Sequence, residues 1–347
     1  AALSRRRRAD LEHHVGRLSG QQLFLAAVTV ADLEQHDKPA TVADLEAMRT
    51  ALGFKEWNLY GQSYGSTVAL EVLRSRPGHL RSVVLDATLP PFADNLSPAS
   101  VVAVGKRGFE TLFDRCNVAP GCPVLDLTQN PPRFNGFVDG DQLEADLVAL
   151  QQYWNANPYP TVDPATNRTL QLTGDDAVWA LFKGQYFTEF LQVLPTFIEL
   201  LAPSDPYFGF PIPIPLDIYV QLPLLLSSDR GTWAAVNCAD KAAIAGPGSL
   251  DDVWSAEPVY RSVLVDSPTF PELCDDIVRV EPNRQVFSRV LPRKVPTLIL
   301  AGENDPITPP SFGEATAEPL GPSATYVLIP DIGHIAVGNS GGCGDQL

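Results

Sequence analysis

One stretch of sequence decides the fold prediction, residues 57–75, which read WNLYGQSYGSTVALEVLRS. Residues 57–60 form a short strand-like run, residues 61–65 match G-x-S-x-G and predict a tight turn, and residues 67–75 return to helical spacing. A serine on such a strand-to-helix turn is presented to a substrate, and neighbouring glycines leave the space that the strained turn needs. We therefore interpret Ser63 as a nucleophile, with a surface serine on a glycine-rich turn as the alternative.

Strands and helices alternate on both sides of this unit. Upstream, Thr41 to Asp44 has the form of a capping box and predicts a helix that ends at Gly53. Downstream, residues 81–86 contain the Val-Val-Leu run of a strand buried on both faces, and similar runs recur at 296–301 and 326–329. These patterns predict an α/β fold with a mostly parallel sheet flanked by helices.

The middle of the chain has a different pattern. Residues 142–154 and 175–182 have helical spacing, residues 159–172 predict a hairpin, and residues 203–223 are rich in proline. We expect a large, mainly helical cap inserted between core strands, although a separate structural domain is the alternative. The predicted boundaries are 1–90 for the first part of the core, 91–290 for the cap and 291–347 for the second part of the core.

A base must follow the serine, because a hydroxyl at its ordinary pKa is a poor nucleophile. Only His79 and His334 follow Ser63 in the sequence. His79 lies in a turn between a helix and the next strand, on the side away from the nucleophile. His334 lies just past the predicted strand 326–329, at the edge where ligands collect in open sheets, so we predict it as the base. A buried structural histidine is the alternative.

The acid that orients this base has several candidates. Asp305 follows the strand 296–301, and the proline after it stiffens the turn, so we predict Asp305. Asp86, which ends the preceding parallel strand, is the rival to test. Glu303 and Asp331 are further rivals, of which Asp331 is very near His334 in sequence.

Composition excludes several classes of function. The 347 residues contain 25 basic and 41 acidic side chains, a net charge of −16, so phosphate backbones and anionic membrane surfaces would repel the molecule. We therefore predict no nucleic-acid partner. No run of about 18 apolar residues is present, so no membrane span is predicted. None of the five cysteines has a histidine at ligand spacing, which disfavours a zinc site, and no cofactor is predicted.

Four segments together resemble a known family: residues 57–66, 83–86, 237–240 and 302–306. They are similar to the α/β-hydrolase branch that contains tripeptidyl aminopeptidases and proline iminopeptidases. The resemblance implies the α/β-hydrolase fold and hydrolysis of an acyl bond through an acyl-enzyme. It also implies a secreted, periplasmic or cell-envelope location.

The resemblance also assigns residue roles. It implies Ser63, Asp305 and His334 as the catalytic triad. An oxyanion hole in this fold uses the backbone N–H after the nucleophile, which here is that of Tyr64.

The resemblance further implies disulfide pairs. These are Cys116 with Cys122, which enclose a five-residue loop, and Cys238 with Cys274. Cys343 is then left over, as a free thiol or as a bond to a partner outside this sequence.

The beginning of the sequence departs from the family pattern. In the family, a glycine-rich loop ahead of the elbow supplies the second oxyanion donor, but residues 1–60 contain no Gly-Gly pair. Family members also have several strands before the elbow, whereas here 62 residues, which look largely helical, precede Ser63. We expect that the N-terminal core strands are missing and that this sequence begins inside a longer protein.

Three functions fit these observations. The first is a serine peptidase that cleaves peptide amino termini, with Glu189, Asp205 and Asp240 as candidate ligands of the substrate amine. Each of these acids has an alternative role as a solvated surface group. The second is a carboxylesterase with the same triad, in which the apolar segment 208–226 shapes an acyl pocket. The third is a non-catalytic binding protein that has kept the fold.

Overall fold

The computed structural model describes residues 38–95, 97–126, 129, 131–162, 169–203, 258–264 and 294–337. The strands of these residues are β1 Trp57–Gln62, β2 Leu80–Asp86, β3 Cys122–Asp126, β4 Arg133–Val138, β5 Tyr159–Val162, β6 Thr169–Leu172, β7 Thr297–Gly302 and β8 Ala324–Ile329. The α-helices are α1 Lys38–Ala51, α2 Tyr64–Ser75, α3 Pro98–Cys116, α4 Gly140–Ala156, α5 Gly174–Gly184, α6 Thr188–Leu191, α7 Leu194–Leu201 and α8 Pro310–Leu320. Short 3₁₀ helices cover Pro77–His79, Tyr260–Leu264 and Gly321–Ser323.

A parallel sheet lies at the centre of the described residues, with the strand order β1-β2-β7-β8. Its register pairs Gln62 with Asp86, Asp86 with Leu300 and Gly302 with Ile329. The segments that follow these strands therefore meet at one edge of the sheet, which we call the carboxyl edge. The predicted α/β fold with a mostly parallel sheet is confirmed.

The apolar runs of the sequence form the centre of this sheet. Val83, Leu85 and Ile299 are almost completely buried because β2 and β7 have a strand on each side, helices against one face and the segment after β8 against the other. Leu70 and Leu73 of α2 pack into the same core. Such burial explains why these strands have nearly continuous apolar sequences rather than alternating ones.

The segment between β2 and β7 has a hydrophobic core of its own. Phe109, Leu143, Leu147, Val178 and Ile198 come from four different helices and are almost fully buried together. The helices predicted at 142–154 and 175–182 correspond to α4 and α5, and the predicted hairpin at 159–172 is the antiparallel pair β5 and β6. The assignment of this segment as a cap with boundaries 91–290 stays a prediction.

The capping-box prediction at the first helix was wrong. Helix α1 begins at Lys38, so Thr41 lies inside its first turn rather than before it. A capping box forms instead at α5, where the side chain of Thr173 accepts from the N–H of Asp176 and the Asp176 carboxylate accepts from the N–H of Thr173. Both segments have the spacing Thr-x-x-Asp, so the spacing alone does not choose the start of a helix.

A disulfide joins Cys116, the last residue of α3, to Cys122, the first residue of β3. This is one of the two pairs that the family resemblance implies. Cys238, Cys274 and Cys343 lie outside the described residues. Among the helices that the structure describes, none combines the length and apolar character that a bilayer crossing requires.

Candidate active site

The G-x-S-x-G motif forms a strained turn between β1 and α2. Ser63 has φ 50° and ψ −121°, outside the regions that residues with a side chain normally adopt. Backbone hydrogen bonds hold it there: the Ser63 N–H donates to the carbonyl of Asp86 over 2.9 Å, and the Ser66 N–H donates to the carbonyl of Ser63 over 3.0 Å. The turn therefore fixes the serine at the carboxyl edge.

The two glycines of the motif differ in how closely other atoms approach them. A Cβ at Gly61 would lie 2.5 Å from the carbonyl oxygen of Gly65 and 2.9 Å from the Cα of Ser66, so the turn can close only with glycine there. A Cβ at Gly65 would meet no described atom within 4 Å. The expectation that both neighbours must lack side chains thus applies to Gly61 and not to the packing around Gly65.

Tyr64 is the first residue of α2. Backbone N–H groups in the first turn of a helix have no carbonyl acceptor within that helix, and the helix dipole favours negative charge at this end. Such a donor suits a developing oxyanion next to the nucleophile. The oxyanion role of Tyr64 stays a prediction.

His334 and Asp305 are in contact at the same edge. The Nδ1 atom of His334 lies 2.9 Å from Oδ2 and 3.1 Å from Oδ1 of Asp305. Both side chains are buried, with exposed fractions of 5% for His334 and 0% for Asp305. An Nδ1–H that donates to this carboxylate fixes the tautomer in which Nε2 is the basic nitrogen.

The Asp305 carboxylate is held by its own loop. The backbone N–H groups of Ile307 and Thr308 each donate to Oδ1 over 2.9 Å, and the Thr308 hydroxyl donates to Oδ2 over 2.7 Å. These three donors hold the carboxylate in place and fix its plane. The loop therefore presents an oriented acceptor to His334.

Asp86, the rival for the acid, has other partners. Its carboxylate accepts from the N–H groups of Ala336 and Val337 over 2.8 and 2.9 Å and from the phenol of Tyr60 over 2.8 Å. Burial and the hydrogen bond to Asp86 raise the pKa of Tyr60, so the phenol remains a donor at neutral pH. Since the Asp86 carbonyl also accepts from Ser63, this residue connects the serine turn to the segment after His334.

The other candidates also lie against different groups. Glu303 accepts through Oε2 from the N–H of Asp331 over 3.3 Å, and the carboxylate of Asp331 forms a 2.7 Å ion pair with Arg115 of α3. His79 precedes β2, at the opposite end of the strand from the carboxyl edge, and its Nδ1 lies 2.6 Å from Oε2 of Glu46.

Side chains in the described part of the segment between β2 and β7, which we call the inserted segment, contact this site, and the sequence reasoning missed them. The Tyr186 ring packs edge-on against the His334 ring, with 5.1 Å between ring centroids. The Thr188 hydroxyl accepts from the N–H of Gly333 over 3.2 Å, and the Arg107 guanidinium donates to the backbone carbonyl of Asp305. None of them belongs to a motif, so no local signal in the sequence identifies them.

The predicted amine ligands are only partly described. Glu189 lies on α6, exposed to solvent and next to Thr188, which contacts the histidine loop. Asp205 and Asp240 lie outside the described residues. Within the described part of the chain, no group of three or more His, Cys, Asp or Glu side chains is arranged to hold a metal ion.

A cavity of about 330 Å³ opens beside the acid loop. Leu112 of α3 and Leu191 of α6 form apolar walls, and Arg115 and Asn304 add polar groups. Since Asn304 directly precedes Asp305, the cavity is adjacent to the loop that orients the histidine.

The family comparison covers most of the chain. A family model described as alpha/beta hydrolase fold matches residues 33–339. The chain belongs to the alpha/beta hydrolase fold family. In this alpha/beta hydrolase, the parallel sheet and the serine turn after β1 lie within the matched region.

Curated relatives and solved structures were also found for this alpha/beta hydrolase. "Serine protease Hip1" of Mycobacterium tuberculosis (strain ATCC 25618 / H37Rv) is 23% identical over 316 residues, which is 87% of this chain and 56% of that protein. The chain thus spans about half the length of the curated relatives it matches. An alpha/beta hydrolase, MGS-M2, from a deep-sea metagenome library is 16% identical with a TM-score of 0.29, covering 86% of this chain and 65% of that chain. An esterase from Exiguobacterium antarcticum is 12% identical with a TM-score of 0.33, covering 88% and 69%.

Proposed function

We propose that this alpha/beta hydrolase is a serine hydrolase that acts through an acyl-enzyme. In this mechanism Ser63 is the nucleophile and His334 is the general base. Asp305 orients the imidazole and balances the charge of its protonated form. The proposal depends above all on the contact between the His334 Nδ1 and the Asp305 carboxylate, at the same sheet edge as the strained Ser63 turn. Asp86 supports it further, because it binds both the Ser63 turn and the segment after His334.

The reaction divides into two halves. The Ser63 Oγ attacks the substrate carbonyl carbon while the His334 Nε2 takes its proton, and the Asp305 carboxylate stabilises the imidazolium. The Tyr64 N–H donates to the oxyanion. The C–N or C–O bond then breaks, and the leaving amine or alcohol takes the proton from Nε2. In the second half, water attacks the acyl-enzyme by the same route and releases a carboxylic acid and free Ser63.

We propose peptide amino termini as the substrate. The support is the resemblance to tripeptidyl aminopeptidases and prolyl iminopeptidases, together with the similarity to a relative named as a serine protease. Such a substrate carries a cationic amine, for which Glu189, Asp205 and Asp240 are the candidate ligands. The support for Glu189 is that it is exposed and follows Thr188, which contacts the histidine loop.

A carboxylesterase is the second candidate. The same three residues would cleave an ester, and the leucine-walled cavity beside the acid loop would suit a small acyl or alcohol group. We further propose a secreted, periplasmic or cell-envelope location, because disulfides such as Cys116–Cys122 persist in oxidising compartments.

Fluorophosphonate labelling followed by peptide mapping tests the nucleophile. We expect the label on Ser63, and we expect Ser63→Ala to lose the label and to lower kcat on the order of 10⁵- to 10⁶-fold. Ser82→Ala, which removes a hydroxyl that bonds Asn58 on the neighbouring strand, is the matched control and should keep parental activity. A label elsewhere, or no label on folded protein, would reject the serine mechanism and favour a binding protein.

A substrate panel separates the two hydrolases. Aminoacyl arylamides with a free amine should be cleaved, their N-acetylated forms should not, and neutralising the amine ligand among Glu189, Asp205 and Asp240 should raise KM more than it lowers kcat. Hydrolysis of aryl esters alone would reject the peptidase and favour the carboxylesterase.

A further inference from the structure

Arg107 connects the inserted segment to the acid loop. It lies in the middle of α3, and its Nη2 donates to the backbone carbonyl of Asp305. The helix is very close to the loop at this point: a Cβ at the adjacent Gly108 would lie 3.0 Å from the Cβ of Pro306 and 2.7 Å from Oε1 of Gln185. Tight packing of α3, and not a long flexible reach, therefore sets the position of the guanidinium.

The Arg107 guanidinium carries a positive charge and is partly buried. Its Nε is buried and has no hydrogen-bond partner among the residues that the structure describes. Burial lowers the pKa of Arg107 and the charge of Asp305 opposes this, but a guanidinium stays protonated in proteins. The Arg107 guanidinium thus binds the backbone of the residue whose carboxylate contacts His334, and the two charges interact.

This arrangement matters for the base. An aspartate next to a histidine favours the imidazolium, which has no lone pair with which to accept the proton of a nucleophile. A second cation near the aspartate opposes that effect. A cation beside this aspartate can therefore offset its electrostatic effect on the oriented imidazole.

We propose that Arg107 is a positioning residue that holds the Asp305 loop from the inserted segment and extends the neutral form of His334 to lower pH. This inference rests on the proposed function, since it assigns a role within the same site. It makes the inserted segment part of the catalytic machinery and not only a covering layer.

The other described groups in contact with the His334 ring are not cations. Tyr186 lies edge-on to the ring, and burial and the Asp305 charge raise its pKa, so it is neutral. The Thr308 hydroxyl, 3.3 Å from Nδ1, is uncharged. The Lys183 ammonium lies 5.4 Å from the centroid of the Tyr186 ring. The Asp86 carboxylate accepts hydrogen bonds from backbone N–H groups after His334.

Two substitutions separate charge from contact. Arg107→Gln removes the charge and leaves a shorter side chain with N–H donors, whereas Arg107→Lys keeps the charge. We expect Arg107→Gln to move the acid limb of the kcat/KM profile upward by about half a pH unit or more, and Arg107→Lys to stay near the parent. Arg81→Met, at an exposed arginine of β2, is the control and should leave the limb unmoved.

A direct titration makes the test independent of turnover. The His334 imidazole is followed by NMR between pH 4 and 9 in the Ser63→Ala background, with and without Arg107→Gln. An upward shift of its midpoint in Arg107→Gln supports the proposal. An unmoved midpoint, or equal shifts in the Gln and Lys variants, overturns it. If the parent hydrolyses nothing, the proposed function fails, while the NMR result still decides the role of Arg107.

Discussion

At the carboxyl edge of the sheet, the end of β2 and the loop after β7 each bury one aspartate completely. At the end of β2, Asp86 accepts hydrogen bonds from two backbone N–H groups and a phenol. In the loop after β7, Asp305 lies against an imidazole. The sheet edge thus brings a carboxylate to the site in both cases, and the partner of each carboxylate determines its role.

The position of each aspartate along its strand explains the difference. Asp86 is the last residue of β2. Its carbonyl accepts from Ser63, and its carboxylate accepts from the backbone segment after His334 and from the Tyr60 phenol. Asp305 lies three residues beyond β7, in a turn whose N–H groups at Ile307 and Thr308 hold the carboxylate. This turn presents the Asp305 carboxylate to His334.

We expect the largest effect from a substitution that disrupts the contact between Asp305 and His334. Asp305→Asn should lower kcat on the order of 10⁴-fold, because an amide can turn its NH₂ toward His334 and stabilise the wrong tautomer. The circular dichroism spectrum should remain that of the parent. Steady-state kinetics at pH 8 measure the loss. A decrease of less than tenfold in folded protein would show that Asp305 is not the acid.

We expect the next largest effect on the free energy of unfolding, from a substitution of Asp86 at the end of β2. Asp86→Asn should lower the free energy of unfolding by about 2–4 kcal/mol, because a charged acceptor of two buried N–H groups is replaced by an amide with one oxygen. The segment it holds includes Ile335, at φ 70°, a conformation that a β-branched residue adopts only when its surroundings enforce it. Urea denaturation measures the loss.

Activity supplies the contrast between the two aspartates. We expect kcat of Asp86→Asn to fall less than about 100-fold, through displacement of His334 by a few tenths of an ångström. A 10⁴-fold decrease in kcat with unchanged unfolding would exchange the roles that we assign to Asp86 and Asp305.

The sequence predicted the sheet and its edge well. The apolar runs at 81–86 and 296–301 are typical of strands buried on both faces, and parallel strands necessarily end at the same edge. From this geometry alone, His334 and both aspartates could be placed near the serine turn. The sequence favoured Asp305 but left Asp86 as a rival, because both lie at the carboxyl ends of such strands.

The contributions of the inserted segment could not be predicted. Arg107 and Asp305 are 198 positions apart, and no periodicity in α3 distinguishes this arginine from its neighbours. Tyr186 and Thr188 likewise meet the histidine loop only because the second hydrophobic core fixes the helices around them. Contacts of this kind depend on tertiary packing, which local patterns do not encode.

We expect the smallest effect from a substitution of Tyr60, whose phenol donates a hydrogen bond to Asp86 and not to Asp305. Tyr60→Phe should cost about 1 kcal/mol of unfolding free energy at pH 8 and leave kcat within about threefold, because it removes one hydrogen bond of a structural carboxylate. Since the folded pKa of Tyr60 is raised above its ordinary value of 10.0, the unfolded chain loses this proton first. Its stabilisation is complete below pH 10 and decreases above it.

The stability difference between parent and Tyr60→Phe should therefore shrink as the pH rises from 9 to 11. Tyr186 and Tyr326, whose pKa values are also raised, contribute equally to both proteins and cancel in this difference. Urea denaturation of the two proteins at pH 8, 9, 10 and 11 measures it. A difference that stays constant over this range would mean that the Tyr60 phenol is not held by Asp86, and a kcat loss as large as that of Asp305→Asn would mean that the two aspartates share one function.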